Sequence, residues 1–288
     1  MTWSLCVLWL TLPFTLGDAL GDALARHSTS VSRLATIAGW IGWGVVLVAS
    51  LIPRPLTLTL LRFAVPAALP LAAWVCIDAG ATAKGLVGLA TAAVCAVAVC
   101  TAWVADDFVD GASYGDERRW SLRAPGVLVA GPIPIIWTAG IAGATVGPLL
   151  LATATDSIGR VVASVITLVG AIVAVAAFRS LHTLSARCAV MVPAGLTLVD
   201  PLSLGESALF PRARMRHLGP AFADTDALDL SQRALGLALQ VDMAAPVDLL
   251  RRDGRRRASE IMASSIVFTP GRPGALLREA ADRRMPVD

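Results

Sequence analysis

Four stretches of this chain, 34–52, 85–104, 127–152 and 161–178, run for eighteen residues or more without a single charged side chain. A helix rises about 1.5 Å per residue, so about 20 apolar residues cross the roughly 30 Å hydrocarbon core of a bilayer. Within that core the backbone must satisfy its own hydrogen bonds, which restricts spans of this kind to helices. Two further runs are weaker. Trp3–Leu16 is apolar over fourteen residues and contains Pro13. It has neither a basic leading segment nor a small-residue cleavage site before the repeat GDALGDAL (17–24), so it reads as a short first span rather than a signal peptide. Leu56–Ile77 contains Arg62, Pro66 and Pro70, and an arginine near the end of a run can reach the headgroups. The expected fold is therefore an α-helical transmembrane bundle of about six spans over residues 1–178, near 3–20, 34–52, 56–77, 85–104, 127–152 and 161–178.

Charge divides the chain. Residues 1–178 hold nine basic and nine acidic side chains, whereas 179–288 hold fifteen and twelve. Hydrophobic residues make up 56% of the whole, against about 45–50% in soluble domains, and the excess lies almost entirely before residue 179. Residues 179–288 therefore read as a separate soluble domain. The net charge is only +3 and no aromatic–basic interleaving occurs, which argues against nucleic acid as a partner. The five cysteines are odd in number and lack C-x-x-C spacing, so they read as small buried hydrophobes rather than disulfides or a zinc site.

With six spans, the loops on the side of both termini carry Arg54, Arg62, Arg118, Arg119, Arg123, Arg179 and Arg187, and the opposite loops carry Arg26, Arg33, Lys84 and Arg160. Basic residues collect on the cytoplasmic side, so seven against four puts the soluble domain in the cytoplasm of a plasma (inner) membrane protein. Ala139, Gly143 and Gly147 recur every four residues in the fifth span, a spacing that lets helices approach closely, within the chain or between copies in a homo-oligomer. No Asp, Glu, Lys or His falls in mid-membrane in the four uncharged spans, which weighs against proton- or ion-coupled transport.

The soluble part changes period. Residues 188–192 and 196–200 flank Pro193-Ala194-Gly195 as strand, turn and strand. Leu235, Leu237, Leu239, Val241 and Met243 alternate with smaller or polar residues, the mark of a strand with one buried face. Val247–Arg252 and Arg255–Ser259 flank Asp253-Gly254, a hairpin turn. Pro273 suits the first turn of a helix that carries Leu276, Leu277, Ala280 and Ala281 on one face. The expectation is a small α+β domain, mostly antiparallel β with a closing helix. That order is similar to bacterial pleckstrin-homology-like domains.

A second resemblance covers about two-thirds of the chain. The segments FVDGASYGDERRWSLRAPG (108–126), RSLHTLSARCAVMVPAGLTLVDP (179–201) and FTPGRPGALLREAADRR (268–284) resemble those of a family of uncharacterised actinobacterial membrane proteins. Its loop tends to read FVNGSSYG, from which Asp110 and Ala112 depart here. The resemblance implies a membrane protein of the cell envelope and brings no catalytic residue with it.

Two constellations stand out chemically. Asp106, Asp107 and Asp110 form a D-D-x-x-D string, followed by Asp116, Glu117, Arg118, Arg119 and Arg123. Membrane prenyltransferases hold Mg²⁺ against a diphosphate with such strings, because hard cations want several carboxylate oxygens. They need a second acidic motif, and no other short loop offers one. The alternative is a structured loop whose acids pair with nearby arginines or those of the tail, making it the place to look for an interdomain contact. Arg251, Arg252, Arg255, Arg256 and Arg257 crowd the predicted hairpin tip, where they can contact anionic lipid headgroups or a protein partner, or simply remain solvated. Asp224, Asp226 and Asp229 lack the glycine and later glutamate of a calcium loop and read as turn residues. No cofactor is implied. The expected role is a membrane-anchored interaction or scaffold protein, with a transporter or its accessory subunit as the alternative and a Mg-dependent prenyl-diphosphate enzyme behind both.

Overall fold

The computed structural model describes residues 2–78, 80–254 and 257–287. In chain order the elements are α1 (Thr2–Ala25), α2 (Thr29–Leu51), α3 (Pro55–Ala64), α4 (Ala68–Asp78), α5 (Ala83–Cys100), α6 (Ala102–Asp110), β1 (Arg118–Ser121), α7 (Gly126–Ala130), α8 (Pro132–Thr153) and α9 (Ser157–Ser185). There follow β2 (Cys188–Val192), β3 (Gly195–Val199), β4 (Ala208–Pro211), β5 (Met215–Pro220), β6 (Leu228–Asp229), β7 (Leu239–Arg252), β8 (Ala258–Phe268) and α10 (Pro273–Asp282). These elements form two compact units, Met1–Val104 with Pro134–Leu181, and Ala105–Ile133 with His182–Asp288.

The first unit is a helical bundle with six helices long and apolar enough to cross a membrane. The first is longer than expected. Despite Pro13, α1 continues through GDALGDAL to Ala25, and its acids gather at that end, where Asp18 meets Lys84 at 2.9 Å. The third span runs from Pro55 to Asp78, with a single 3₁₀ turn at Val65–Ala67 where Pro66 cannot donate a helix hydrogen bond. Arg62 does more than reach outward, since its Nε donates to the Val99 carbonyl (3.2 Å) in the last turn of α5, where the helix dipole favours a cation. α1 and α2 are pinned by reciprocal bonds, with the Trp9 indole donating to the Trp43 carbonyl (3.0 Å) and the Trp43 indole to that of Trp9 (3.1 Å).

The small-residue face of α8 meets α9 of the same chain. Gly143 and Gly170 approach so closely that a Cβ on either would overlap the carbonyl oxygen of the other, and Gly147 lies equally tightly against Thr167. Gly140, rather than the expected Ala139, completes this face: a Cβ there would lie 2.8 Å from that of Ala177, while Ala139 is exposed.

The second unit is an antiparallel-rich α+β domain of two four-stranded sheets, ordered β1-β2-β3-β4 and β5-β7-β8-β6. β6 is the exception, running parallel to β8. Residues from both sheets share one core that includes Trp120, Met191, Leu198, Phe210, Val241 and Phe268. α10 closes it, with Pro273 in its first turn and Leu276 and Ala280, one turn apart, facing inward. The ladder of β7 with β8 shifts register between Asp242 and Val247, where Pro246 could not serve a regular ladder, and then continues as far as Arg252↔Ala258.

Two local expectations change. β1, read as part of a loop, is an edge strand that pairs with β2 through Arg119↔Val190 and Trp120↔Ala189. Leu235 and Leu237 do not belong to β7. Leu239, Val241 and Met243 are buried as expected, but the ladder with β5 ends at Pro220↔Leu239, leaving the two earlier leucines in an exposed loop.

The pairing of β1 with β2 bears on topology. Two spans, α8 and α9, separate the strands in sequence, so both strands lie on one side of the bilayer.

Candidate functional site

The D-D-x-x-D string occupies α6, whose rise of about 6 Å per four residues nearly matches the ~6.8 Å between alternate residues of a strand. Asp106 and Asp110, four apart on one helix face, therefore meet alternate amides of the β1 edge. Oδ1 of Asp110 accepts from the Arg119 amide (2.9 Å) and the Ser113 hydroxyl (3.0 Å), and its Oδ2 pairs with Arg118 at 2.7 Å. Oδ1 of Asp106 accepts from the Ser121 amide (2.9 Å) and hydroxyl (2.7 Å). Asp106 is buried, and its Oδ2 lies 3.8 Å from Arg272, just before α10. Burial pushes the Asp106 carboxyl above its ordinary range, an effect that the Ser121 hydrogen bonds and Arg272 only partly offset.

The remaining loop charges are also held within the domain. Glu117 pairs with Arg119 at 2.9 Å, and the hydrogen bond from that guanidinium holds its carboxyl below the ordinary value. Hydrogen bonding to Asp110 raises Arg118 in the same way. Arg283, just after α10, donates to the Asp116 carbonyl (2.7 Å). Asp107 is half-buried beside Asp106. The acidic loop thus lies beside arginines that flank α10 in the same unit. Asp106 and Asp110 serve as acceptors that satisfy a strand edge, which argues against their use as the ligands of a diphosphate-bound cation. Among the described residues, no group of three or more His, Cys, Asp or Glu is placed to hold a metal ion.

The hairpin tip presents Arg251, Arg252 and Arg257 to solvent, with Asp253 4.0 Å from Arg251. Arg255 and Arg256 lie outside the described residues. Of the acids at 224–229, Asp229 makes a turn by accepting from the Ser231 amide at 2.7 Å. All five cysteines are free thiols, and burial raises that of Cys188 to about 11, leaving it protonated and unreactive.

One central feature escaped the sequence reading. Arg187 and Asp200, both almost fully buried, form a two-pronged ion pair with both bonds at 2.7 Å. Arg187 also donates to the Arg123 carbonyl (2.9 Å), and Asp200 accepts from Ser203 (2.6 Å), which in turn receives a bond from Gln232 (3.1 Å). This network ties the inter-span segment to the tail.

Fold and site together define a multi-pass membrane protein whose β-rich domain is assembled from an inter-span loop and the C-terminal segment. No protein-family model, curated protein or solved structure matches the chain.

Proposed function

We propose that this chain is a membrane-anchored interaction protein of the plasma membrane, whose domain faces the cytoplasm and engages an acidic partner, a protein surface or lipid headgroups, through the β7–β8 hairpin. The observation that carries the reading is the two-segment construction of the domain. Strand β1 precedes two spans and β2 follows them, so the domain is tethered where the chain leaves α5, enters α8 and leaves α9. Three tethers suit a module that presents a binding surface beside a membrane. The seven-to-four distribution of basic residues supports the cytoplasmic side. The hairpin offers exposed Arg251, Arg252 and Arg257.

The test is affinity purification of the full-length protein from native membranes after mild cross-linking, in parallel with an Arg251→Glu/Arg252→Glu/Arg257→Glu variant. The reading expects partners, identified by mass spectrometry, that the parent retains and the variant loses at equal abundance in the membrane. Equal recovery by both proteins would sink it.

A further inference from the structure

The loop between β6 and β7 is an unusual piece of surface. A single exposed leucine is ordinary, but here Leu235 is 75% and Leu237 51% exposed two residues apart. Next to them lies α7, which carries exposed Val127 and Val129 and leads directly into span α8 at Pro132. The two segments touch: Pro125 bridges Ala234, and the Leu235 side chain is close enough that a Cβ on Gly126 would lie 3.3 Å from it. Neither 124–131 nor 230–238 contains a carboxylate. Their only charge is Arg233, exposed beside the leucines.

The loop is also held in shape. Gln232 and Arg233 both have left-handed backbones (φ 52° and 57°), which bulky residues seldom adopt unless their surroundings impose it. Gln232 is bonded to Ser203, and the Arg233 amide donates to the Ser231 hydroxyl (3.2 Å). Arg123 donates to the Leu235 carbonyl (3.2 Å), and its guanidinium fills the space where a Cβ on Gly236 (φ 123°) would fall. The leucines are thus displayed on a braced backbone, which lowers the ordering cost of burying them.

We infer that Leu235 and Leu237, with Val127 and Val129 of α7, are immersed in the interfacial layer of the bilayer, with Arg233 at the level of the lipid phosphates. The occupant is lipid because of continuity with the span. Pro132 is six steps along the chain from Gly126, so the contact between Leu235 and Gly126 is held within about 20 Å of the start of α8 even if the chain between were fully extended. Apolar side chains flanked by arginine, without acids, match the chemistry of that layer. This inference goes beyond the proposed function, because the contact requires no partner and is measured in its absence.

The experiment uses the full-length protein with its native cysteines replaced and a single cysteine at position 235, 237 or 262, each labelled with bimane and reconstituted into phosphatidylcholine vesicles containing doxyl-labelled lipids. Labels at 235 and 237 are expected to emit further to the blue than that at 262 and to be quenched several-fold more by shallow doxyl groups, with little quenching by aqueous iodide. Iodide quenching at 235 equal to that at 262 overturns the inference. So does protection from iodide without doxyl quenching, which would mean that protein covers the loop. A Leu235→Asp/Leu237→Asp variant labelled at Val127→Cys supplies a second reading, since loss of lipid quenching at 127 is expected and its full retention counts against a shared immersed surface.

Discussion

Asp106 and Asp110 show how little a motif's composition says about its use. Each meets a backbone amide that an edge strand would otherwise leave without a protein partner. Removing such an acceptor from a buried donor costs about 1–3 kcal/mol. Asp106→Ala should destabilise the domain by that amount, and hydrogen exchange of a peptide covering 116–123 should accelerate. Asp106→Asn keeps an acceptor for Ser121 and should exchange much like the parent. The same carboxyl carries a pH signature. Its folded value lies above the ordinary 3.8, so the folded domain binds a proton more readily than the unfolded chain. The stability this brings is complete below the unfolded value and is lost as pH rises through the raised one. Stability measured by pulse proteolysis should therefore fall less in the Asp106→Asn variant than in the parent over the interval just above 3.8. Glu117 has the opposite sign, since its depressed value favours folding above the ordinary carboxylate range and the contribution is lost on acidification. It lies near the surface, so its effect is small.

At the scale of elements, the packing of α8 on α9 depends on the absence of side chains. Gly143→Val or Gly170→Val forces the helices apart and should lower the stability of the full-length protein in nanodiscs by about 1–3 kcal/mol. Ala139→Val, on the exposed face, should fall within about 0.5 kcal/mol of the parent. A thermal unfolding series of the three variants measures both. The repeat of small residues was legible in the sequence, but its phase was not, because neighbouring helices decide whether Ala139 or Gly140 faces inward. Leu235 and Leu237 make the same point in a strand context. Alternation continues from 235 to 243 in the sequence, yet a strand also needs a ladder, and β5 runs out at Pro220 opposite Leu239. The helix after Pro273 was legible because its local chemistry, a first-turn proline, suffices to specify it. A hairpin near Asp253-Gly254 was legible too, but not its turn, since the ladder ends at Arg252↔Ala258 and five residues rather than two join the strands.

For the whole molecule, the decisive feature is that the β-rich domain is discontinuous in sequence. Residues 182–288 alone lack β1, which would leave the edge of β2 open and a void where Trp120 packs; losing a buried tryptophan side chain typically costs about 3–5 kcal/mol. Expressed alone, 182–288 should be aggregated or unfolded by circular dichroism and give a collapsed amide spectrum. The same segment fused through a short linker to 105–123 should fold. A well-dispersed spectrum from 182–288 by itself would refute this dependence. The number of spans, their approximate limits and the β-rich closing domain were determined by the sequence, because apolar length and hydrophobic period are properties of contiguous residues and the bilayer acts on them locally. The tertiary structure decided which residues join across the chain: it drew 105–133 into the domain, turned two acids into acceptors for a strand edge, buried Arg187 against Asp200 and left Leu235 and Leu237 exposed. Those outcomes depend on partners far away in sequence, and local pattern carries no information about where such partners are.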